Sequence, residues 1–272
     1  MPLNIEKRLL DMKAVVNGIS INYEVFGTDG PWVVLSHSLA CNLRMWGPQI
    51  NFLQESYRVL AFDTRGHGGS EAPKSPYTLD MLSDDSIALL EHLEIDRPHW
   101  IGLSMGGMIG MTIAIKHPKK FRSLTLADTT SRIPNELWPI WATRIEQSAS
   151  KGMASLVDQT LQRWFTSEFI DRSPPDLKFV AAMIESTPTE GYIGCCQAIP
   201  KINCTAELHQ INCPIQIVVG EQDAGTPVQM SEEIHAAAPG SELVVIPHAS
   251  HLSNLEQPQL FNDAVERFLL RH

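Results

Sequence analysis

One serine lies in a sequence context that favours nucleophilic catalysis. Residues 102–106 read Gly-Leu-Ser-Met-Gly, which places Ser104 at the centre of a G-x-S-x-G pattern. An apolar run that predicts a strand precedes this pattern, and a predicted helix follows it. The flanking glycines allow a sharp turn that presents the hydroxyl at the start of the helix, where N–H groups and the helix dipole favour developing negative charge. We therefore predict that Ser104 is a nucleophile.

A serine hydroxyl needs a neighbouring base to attack a carbonyl at neutral pH, and the sequence offers ten histidines. We predict that the base is His251, because it follows the last predicted strand and precedes the last predicted helix. A loop in that position can reach back over the sheet. His248 is the alternative, although it directly follows Pro247 at the end of the strand.

An imidazole base needs a carboxylate that orients it. When the nucleophile lies at a strand–helix turn of this kind, the order along the chain is serine, acid, histidine. Asp223 fits this order, since it lies in the loop directly after the strand predicted at residues 215–220. Glu221 in the same loop, and Asp128 after the strand predicted at residues 121–127, remain alternatives.

The oxyanion of a tetrahedral intermediate needs two N–H donors. One is expected from Met105, the residue after the nucleophile, and the other from the loop at residues 36–40, where we choose Leu39. A further loop at residues 63–70, with the sequence DTRGHGGS, also combines Asp and His. We interpret it as a brace for the nucleophile side of the sheet, held by turn glycines and internal hydrogen bonds, and not as a second site.

The elements that must position these residues alternate along the chain. Asn17-Gly18 predicts a hairpin within residues 12–26. Short apolar runs predict buried strands at residues 32–35, 57–63, 99–103, 121–127, 215–220 and 243–246. Helices are predicted at residues 43–55, 79–94, 105–117, 227–238 and 258–271. This alternation indicates an α/β fold with a mostly parallel sheet flanked by helices.

The alternation stops near residue 131. From Arg132 to about Ile211 the sequence predicts successive helices, interrupted by prolines and rich in tryptophan. We predict that residues 1–130 and 212–272 form the α/β core and that residues 131–211 form an inserted helical cap. Such a cap would lie over the carboxyl ends of the strands, where open parallel sheets bind their ligands.

Composition narrows the range of partners. The 272 residues include 21 Lys and Arg against 31 Asp and Glu, a net charge of −10 without a dense cationic run, so no nucleic acid is expected as a partner. No apolar run approaches the roughly 20 residues that cross a bilayer, and the charged N-terminal stretch argues against a signal peptide. We therefore predict a cytoplasmic protein with no membrane partner. The five cysteines lack metal-ligand or disulfide-framework spacing, so we expect reduced thiols, no metal and no cofactor.

Several longer segments carry a wider resemblance. The segments SHSLACNLRMW, FDTRGHGGSEAP, GLSMGGMIG, LQRWFT and GYIGCCQAI resemble the 3-oxoadipate enol-lactonases and related esterases of the α/β-hydrolase superfamily. The resemblance extends from about residue 14 to residue 270 and implies an α/β-hydrolase fold. It also implies a triad of Ser104, Asp223 and His251, with an oxyanion hole at Leu39 and Met105. The first dozen residues lie outside the pattern, and the sequence assigns them no role.

The family substrate is a five-membered enol-lactone that bears a carboxylate, and opening it gives 3-oxoadipate. The resemblance therefore implies acyl transfer to the serine followed by hydrolysis. An anion inside an acidic protein requires a local cation, and Arg132 and Arg163 are candidates for it. Trp138 and Trp164 are candidates for the pocket wall, although packed cap helices need large apolar side chains in any case.

The triad alone does not decide the substrate, because one fold hosts many chemistries. A C–C bond hydrolase of meta-cleavage products, or a cofactor-free perhydrolase, would use the same three residues. A non-catalytic receptor on the same fold is a third alternative, which the intact motif disfavours. The sequence makes no prediction of the oligomeric state.

Overall fold

The computed structural model describes residues 12–272, and eight strands of this part of the chain form one sheet. Strands β1 to β8 are Met12–Val16, Ile19–Phe26, Trp32–Ser36, Arg58–Phe62, His99–Leu103, Ser123–Ala127, Ile215–Gly220 and Glu242–Ile246. Their spatial order is β1-β2-β4-β3-β5-β6-β7-β8. The β1–β2 and β2–β4 pairs are antiparallel and the other pairs are parallel. The predicted mostly parallel sheet is confirmed.

Burial explains why the strands could be read from the sequence. Every residue of β5, β6 and β7 is buried, so these strands must be apolar on both faces. β8 at the edge of the sheet is mostly half-buried. In the hairpin, Asn17 and Gly18 have φ angles of 47° and 74°, the positive values that a two-residue type I′ turn requires.

Eleven α-helices lie within residues 12–272 and flank or interrupt the sheet. Helices α1 to α11 are Gly47–Leu53, Leu79–His92, Met105–Lys116, Trp138–Lys151, Val157–Trp164, Ser167–Asp171, Pro175–Ser186, Thr189–Ala198, Val228–Ala237, Ser253–Glu256 and Pro258–Leu269. Short 3₁₀ helices span Leu43–Trp46, Asn135–Leu137, Met153–Leu156, Ile199–Lys201 and Thr205–Gln210. Helix α10 was not predicted from the sequence, and residues 43–55, predicted as one helix, form a 3₁₀ turn followed by α1. No helix in the described range has the length and apolar composition needed to cross a bilayer.

Helices α4 to α8 all lie between β6 and β7, in the segment where the strand–helix alternation stops. The two ends of this segment meet: Arg132 and Asn203 form an isolated antiparallel bridge, and the N–H of Cys204 donates to the carbonyl of Ser131 at 2.8 Å. The chain therefore leaves the sheet and returns to it at one place. The assignment of residues 131–211 to a separate cap domain stays a prediction.

The helical segment contacts the rest of the molecule on two sides. Gly191 of α8 packs so closely on Gly66 that a Cβ on Gly191 would lie 2.0 Å from the Gly66 carbonyl oxygen. On the other side, the N–H of Leu252 donates to the carbonyl of Trp164 at 3.2 Å. The second contact joins the helical segment directly to the loop that carries His251.

Candidate active site

Ser104 occupies a strained turn between β5 and α3. Its φ and ψ are 54° and −112°, a combination that non-glycine residues adopt only where the surrounding structure imposes it. A Cβ on Gly102 would lie 2.2 Å from the Gly106 carbonyl oxygen, and a Cβ on Gly106 would lie 2.0 Å from the Ser36 carbonyl oxygen. Both glycines of the motif are therefore required by backbone contacts, because any side chain there would collide with main-chain oxygens.

The loops after β7 and β8 bring Asp223 and His251 together. The Nδ1 of His251 lies 2.9 Å from Oδ2 of Asp223, and both side chains are buried. The Oδ1 of Asp223 accepts the N–H groups of Gly225 and Thr226 at 2.7 and 2.9 Å, and the Thr226 hydroxyl donates to Oδ2 at 2.7 Å. The carboxylate thus holds the imidazole by Nδ1 and leaves Nε2 available for a reaction.

The same contacts set the charge of Asp223. Burial by itself would raise its pKa, but the positive charge on His251 and hydrogen bonds from His251 and Thr226 outweigh burial and lower the pKa below its usual range. Asp223 therefore stays ionised at neutral pH. An ionised carboxylate is what an orienting acid must be if it is to stabilise an imidazolium.

Asp128, one of the alternative acids, is completely buried, but it bonds to Gly220 and Ser253 and not to His251. Its Oδ1 accepts the N–H of Gly220 at 2.8 Å, and its Oδ2 lies 2.5 Å from the hydroxyl of Ser253. Burial, and then the neighbouring charge of Asp223, raise the pKa of Asp128 well above its usual range. Asp128 therefore joins the ends of β6 and β7 to α10, while Asp223 is the acid bonded to His251.

The other two alternatives, Glu221 and His248, are exposed and contact each other. The Glu221 carboxylate accepts the N–H of His248 at 3.2 Å. Neither residue lines the cavity that Ser104 and His251 share. Neither side chain therefore lies where it could act on Ser104.

Two buried histidines hold the loop that carries Leu39. The N–H of Ala40 donates to Nε2 of His67 at 3.0 Å, and Nδ1 of His37 lies 2.7 Å from the carbonyl oxygen of Ser38. Burial lowers the pKa of His37 to about 4 and that of His67 to about 3, so both rings are neutral at pH 7. A neutral ring can accept the Ala40 N–H, which a protonated ring could not do.

These two bonds hold the residues directly before and after Leu39, namely Ser38 and Ala40. Within residues 12–272, the N–H groups of Leu39 and Met105 have no hydrogen-bond acceptor. The loop at residues 63–70 behaves as a brace: Asp63 accepts the N–H groups of Leu43 and Gly69 at 2.7 and 2.8 Å. The structure therefore offers two unused N–H donors, one on the residue after Ser104 and one on a loop that lines the same cavity and is held by hydrogen bonds.

A cavity of about 520 Å³ lies between the sheet and the helical segment, within the size range of small-molecule sites. Ser104 and His251 line it, and so do Leu39 and Trp164. The ring centroids of Trp164 and His251 are 6.0 Å apart. Trp164, a candidate for the pocket wall, thus lies in the wall of this cavity.

Two other predicted pocket residues lie elsewhere. Arg132 donates to both carboxylate oxygens of Glu233 at 3.0 Å, about half of its side chain is exposed, and it does not line the cavity of Ser104. Trp138 is 43% exposed and is likewise absent from this cavity wall. The structure does not bring either residue to Ser104; both line a separate pocket at the surface, together with Ile133 and Pro200.

The cavity wall instead includes Arg163, the second cation that the sequence suggested, and Arg144, which it missed. Arg144 lies on α4 three residues after Trp141, which also lines the cavity. Residues three apart share a helix face, so this spacing was the signal that could have pointed to Arg144.

A sequence model of the alpha/beta hydrolase fold matches residues 31–258. The chain belongs to the α/β-hydrolase family. It is 37% identical over 254 residues to 3-oxoadipate enol-lactonase 2 of Acinetobacter baylyi, covering 93% of this chain and 94% of that protein. It is 33% identical over 245 residues to 3-oxoadipate enol-lactonase 1 of the same organism, covering 90% and 91%.

Solved structures of family members agree. The enol-lactonase from Burkholderia xenovorans LB400 superimposes with a TM-score of 0.92 at 36% identity, covering 95% of this chain and all of that one. A thermophilic esterase from Thermogutta terrifontis gives a TM-score of 0.90 at 27% identity, covering 96% and 98%. The predicted α/β-hydrolase fold is confirmed. Membership of this family, with enol-lactonases among its relatives, supports hydrolysis of an ester or a lactone.

Proposed function

We propose that this α/β-hydrolase cleaves a carboxylic ester or lactone through an acyl-enzyme, with Ser104 as nucleophile, His251 as base and Asp223 as orienting acid. One observation carries the proposal. The serine at a strained turn and the histidine held by a carboxylate at 2.9 Å line the same cavity, although they come from loops far apart in the sequence.

In the acylation step, Nε2 of His251 accepts the Ser104 proton while the serine oxygen attacks the carbonyl carbon. The carbonyl oxygen becomes an oxyanion, which the N–H groups of Leu39 and Met105 stabilise. His251 then gives its proton to the leaving oxygen as the carbon–oxygen bond breaks. In a lactone that oxygen stays attached to the acyl chain, so the ring opens without losing an atom.

In the deacylation step, a water molecule replaces the leaving group. His251 takes one proton of the water, the resulting hydroxide attacks the acyl-enzyme, and the same proton returns to Ser104. The products are the unchanged serine, a carboxylic acid and an alcohol or enol, and in a lactone the acid and the alcohol or enol belong to one molecule. Asp223 stays ionised throughout and stabilises the imidazolium that forms twice in the cycle.

We propose 3-oxoadipate enol-lactone as the substrate, because relatives at 37% and 33% identity carry that activity in their names. The required partner is a small ester or lactone, and the volume of the cavity suits one. The cytoplasmic location and the absence of nucleic-acid and membrane partners stay predictions from the sequence.

The decisive experiment measures opening of enzymatically generated enol-lactone by the purified protein, with a C–C cleavage substrate and a peracid assay alongside. We expect the lactone to be opened and Ser104→Ala to lose at least about 10³-fold in kcat. Ser150→Ala is the matched control, since Ser150 is an exposed residue of α4 that bonds only within its helix. Near-wild-type activity in Ser104→Ala would refute the proposed mechanism. Hydrolysis of short esters but not of the enol-lactone would refute the proposed substrate.

A further inference from the structure

One buried carboxylate lies close to the histidine loop but belongs neither to the triad nor to the cavity wall. Glu256 is the last residue of α10, five positions after His251, and only 5% of its surface is exposed. It does not line the cavity of Ser104. Within residues 12–272 it makes no salt bridge, so hydrogen bonds must satisfy the buried carboxylate.

The two carboxylate oxygens of Glu256 bind two different parts of the chain. Oε1 accepts the N–H of Thr166 at 3.1 Å and also accepts the Thr166 hydroxyl. Oε2 accepts the N–H of Ser250 at 2.9 Å. Thr166 caps the start of α6 in the helical segment, and Ser250 directly precedes His251. One side chain thus joins the helical segment to the backbone of the histidine loop.

The residue after His251 is bonded to the same part of the helical segment. The N–H of Leu252 donates to the carbonyl of Trp164 at 3.2 Å, and the ring centroids of Trp164 and His251 are 6.0 Å apart. The backbone is therefore tied to the helical segment both before and after His251. Asp223, in contrast, holds only the ring of His251, at Nδ1.

A ring that is bonded at Nδ1 alone can still pivot, so the position of Nε2 also depends on where the loop backbone lies. A general base must come within about 2.6–3.2 Å of the group whose proton it accepts. We propose that Glu256 is a positioning residue: by bonding Ser250 to Thr166, it fixes the backbone at His251 so that Nε2 reaches Ser104. The proposal rests on the hydrolase function proposed above. The helical segment then has a second role besides bounding the cavity, because it fixes the base.

The test is a double-mutant cycle of Glu256→Gln and His251→Ala, measured as kcat and KM for 4-nitrophenyl acetate. Glutamine has nearly the same size and shape as glutamate. Its amide oxygen is expected to stay on the two donors of Thr166, which turns the NH₂ towards the N–H of Ser250. Two donors then face each other, so the bond to the histidine loop is the one that is lost.

In the otherwise wild-type protein, we expect Glu256→Gln to lower kcat by about 10- to 100-fold, the range for a misplaced catalytic group. KM should stay within about twofold, since Glu256 does not line the cavity. When His251 is already alanine, the same substitution should change the residual kcat by less than about twofold, because no base is left to misplace. An unchanged kcat in Glu256→Gln, or an equal fall in the two backgrounds, overturns the proposal.

The matched control for lost stability is Val265→Ala. Val265 is a buried residue of α11 outside the cavity wall, and its truncation destabilises the core without touching the histidine loop. Urea unfolding checks that both variants are folded in the assay, and kcat of Val265→Ala should stay within about twofold of wild type. An equal fall in kcat in Val265→Ala and Glu256→Gln would show a general effect of stability and overturn the proposal.

If Glu256→Gln does not fold, Thr166→Val replaces it in the same cycle. Valine keeps the size of threonine and the N–H bond to Glu256, but it loses the hydroxyl bond. We expect a smaller fall in kcat, about 3- to 10-fold, which again disappears when His251 is alanine. An unchanged kcat in Thr166→Val would then overturn the proposal.

Proton NMR separates this proposal from the proposed function. The Nδ1–H of His251 that is bonded to Asp223 gives a downfield resonance, identified by its loss in His251→Ala. We expect Glu256→Gln to shift or broaden it and Val265→Ala to leave it unchanged. If the wild-type protein hydrolyses no ester but this pattern is found, the hydrolase function fails and the positioning of His251 by Glu256 stands. If esters are hydrolysed and Glu256→Gln changes neither kcat nor the resonance, the positioning role fails and the hydrolase function stands.

Discussion

The choice of acid can be tested with two buried aspartates that differ in what they contact. Asp223 is bonded to Nδ1 of His251, whereas Asp128 is bonded to Gly220 and Ser253. Replacing either aspartate by asparagine removes one ionisable group and changes the side-chain volume little. The two variants therefore separate the orienting role from the general effect of losing a buried carboxyl.

In Asp223→Asn, the amide oxygen is expected to stay on the two N–H groups of Gly225 and Thr226. The amide NH₂ then faces Nδ1 of His251 and can only donate to it. This fixes the imidazole with its proton on Nε2, the atom that accepts the Ser104 proton in the proposed mechanism. The corresponding change in a serine protease lowers kcat by about 10⁴, so we expect a similar loss here, about 5.5 kcal/mol of transition-state stabilisation.

In Asp128→Asn, the amide oxygen can still accept the Gly220 N–H and the NH₂ can donate to the Ser253 hydroxyl. Burial and the charge of Asp223 raise the pKa of Asp128, so the substitution replaces a carboxyl whose neutral form the site already favours. We expect a loss of less than about tenfold in kcat, equivalent to about 1.4 kcal/mol. The assay is hydrolysis of one ester at pH 7, with circular dichroism to confirm folding. Equal losses in the two variants would refute the assignment of Asp223.

Three further predictions concern the packing of the nucleophile turn, the buried histidines and the need for a metal. Gly106→Ala should lower the free energy of unfolding by about 3 kcal/mol or more, because its Cβ would lie 2.0 Å from the Ser36 carbonyl oxygen. The control is Gly47→Ala, where a Cβ would meet no atom within 4 Å. Equal urea midpoints for the two variants would contradict the prediction. The pKa values of His37 and His67 are lowered in the folded protein, so as the pH falls the unfolded chain binds protons at these histidines before the folded chain does. The free energy of unfolding should therefore be highest above pH 6.5 and fall towards pH 4, by up to about 1.4 kcal/mol per pH unit for each histidine. Urea unfolding curves that do not depend on pH would disprove this. EDTA should leave ester hydrolysis unchanged, and lost activity that zinc restores would show that a metal takes part.

The sequence determined those features that depend on one segment alone. Strand β5 was predicted with its observed bounds, because a strand buried on both faces must be a continuous apolar run. The strained turn at Ser104 was readable for a similar reason, since the close approach of two backbone segments leaves room only for glycine. Asn17-Gly18 likewise specified its own hairpin.

Only the tertiary structure decided which side chains meet. Asp223 and Asp128 both follow buried strands, and the sequence could not show that one lies 2.9 Å from His251 while the other bonds to Ser253, 125 residues away. The same limit applied to the helical segment, where Arg144 faces the cavity and Arg132 faces Glu233. A local pattern reports the burial and backbone geometry of its own segment. The contact between two segments depends on how each helix and loop is rotated when the whole core packs.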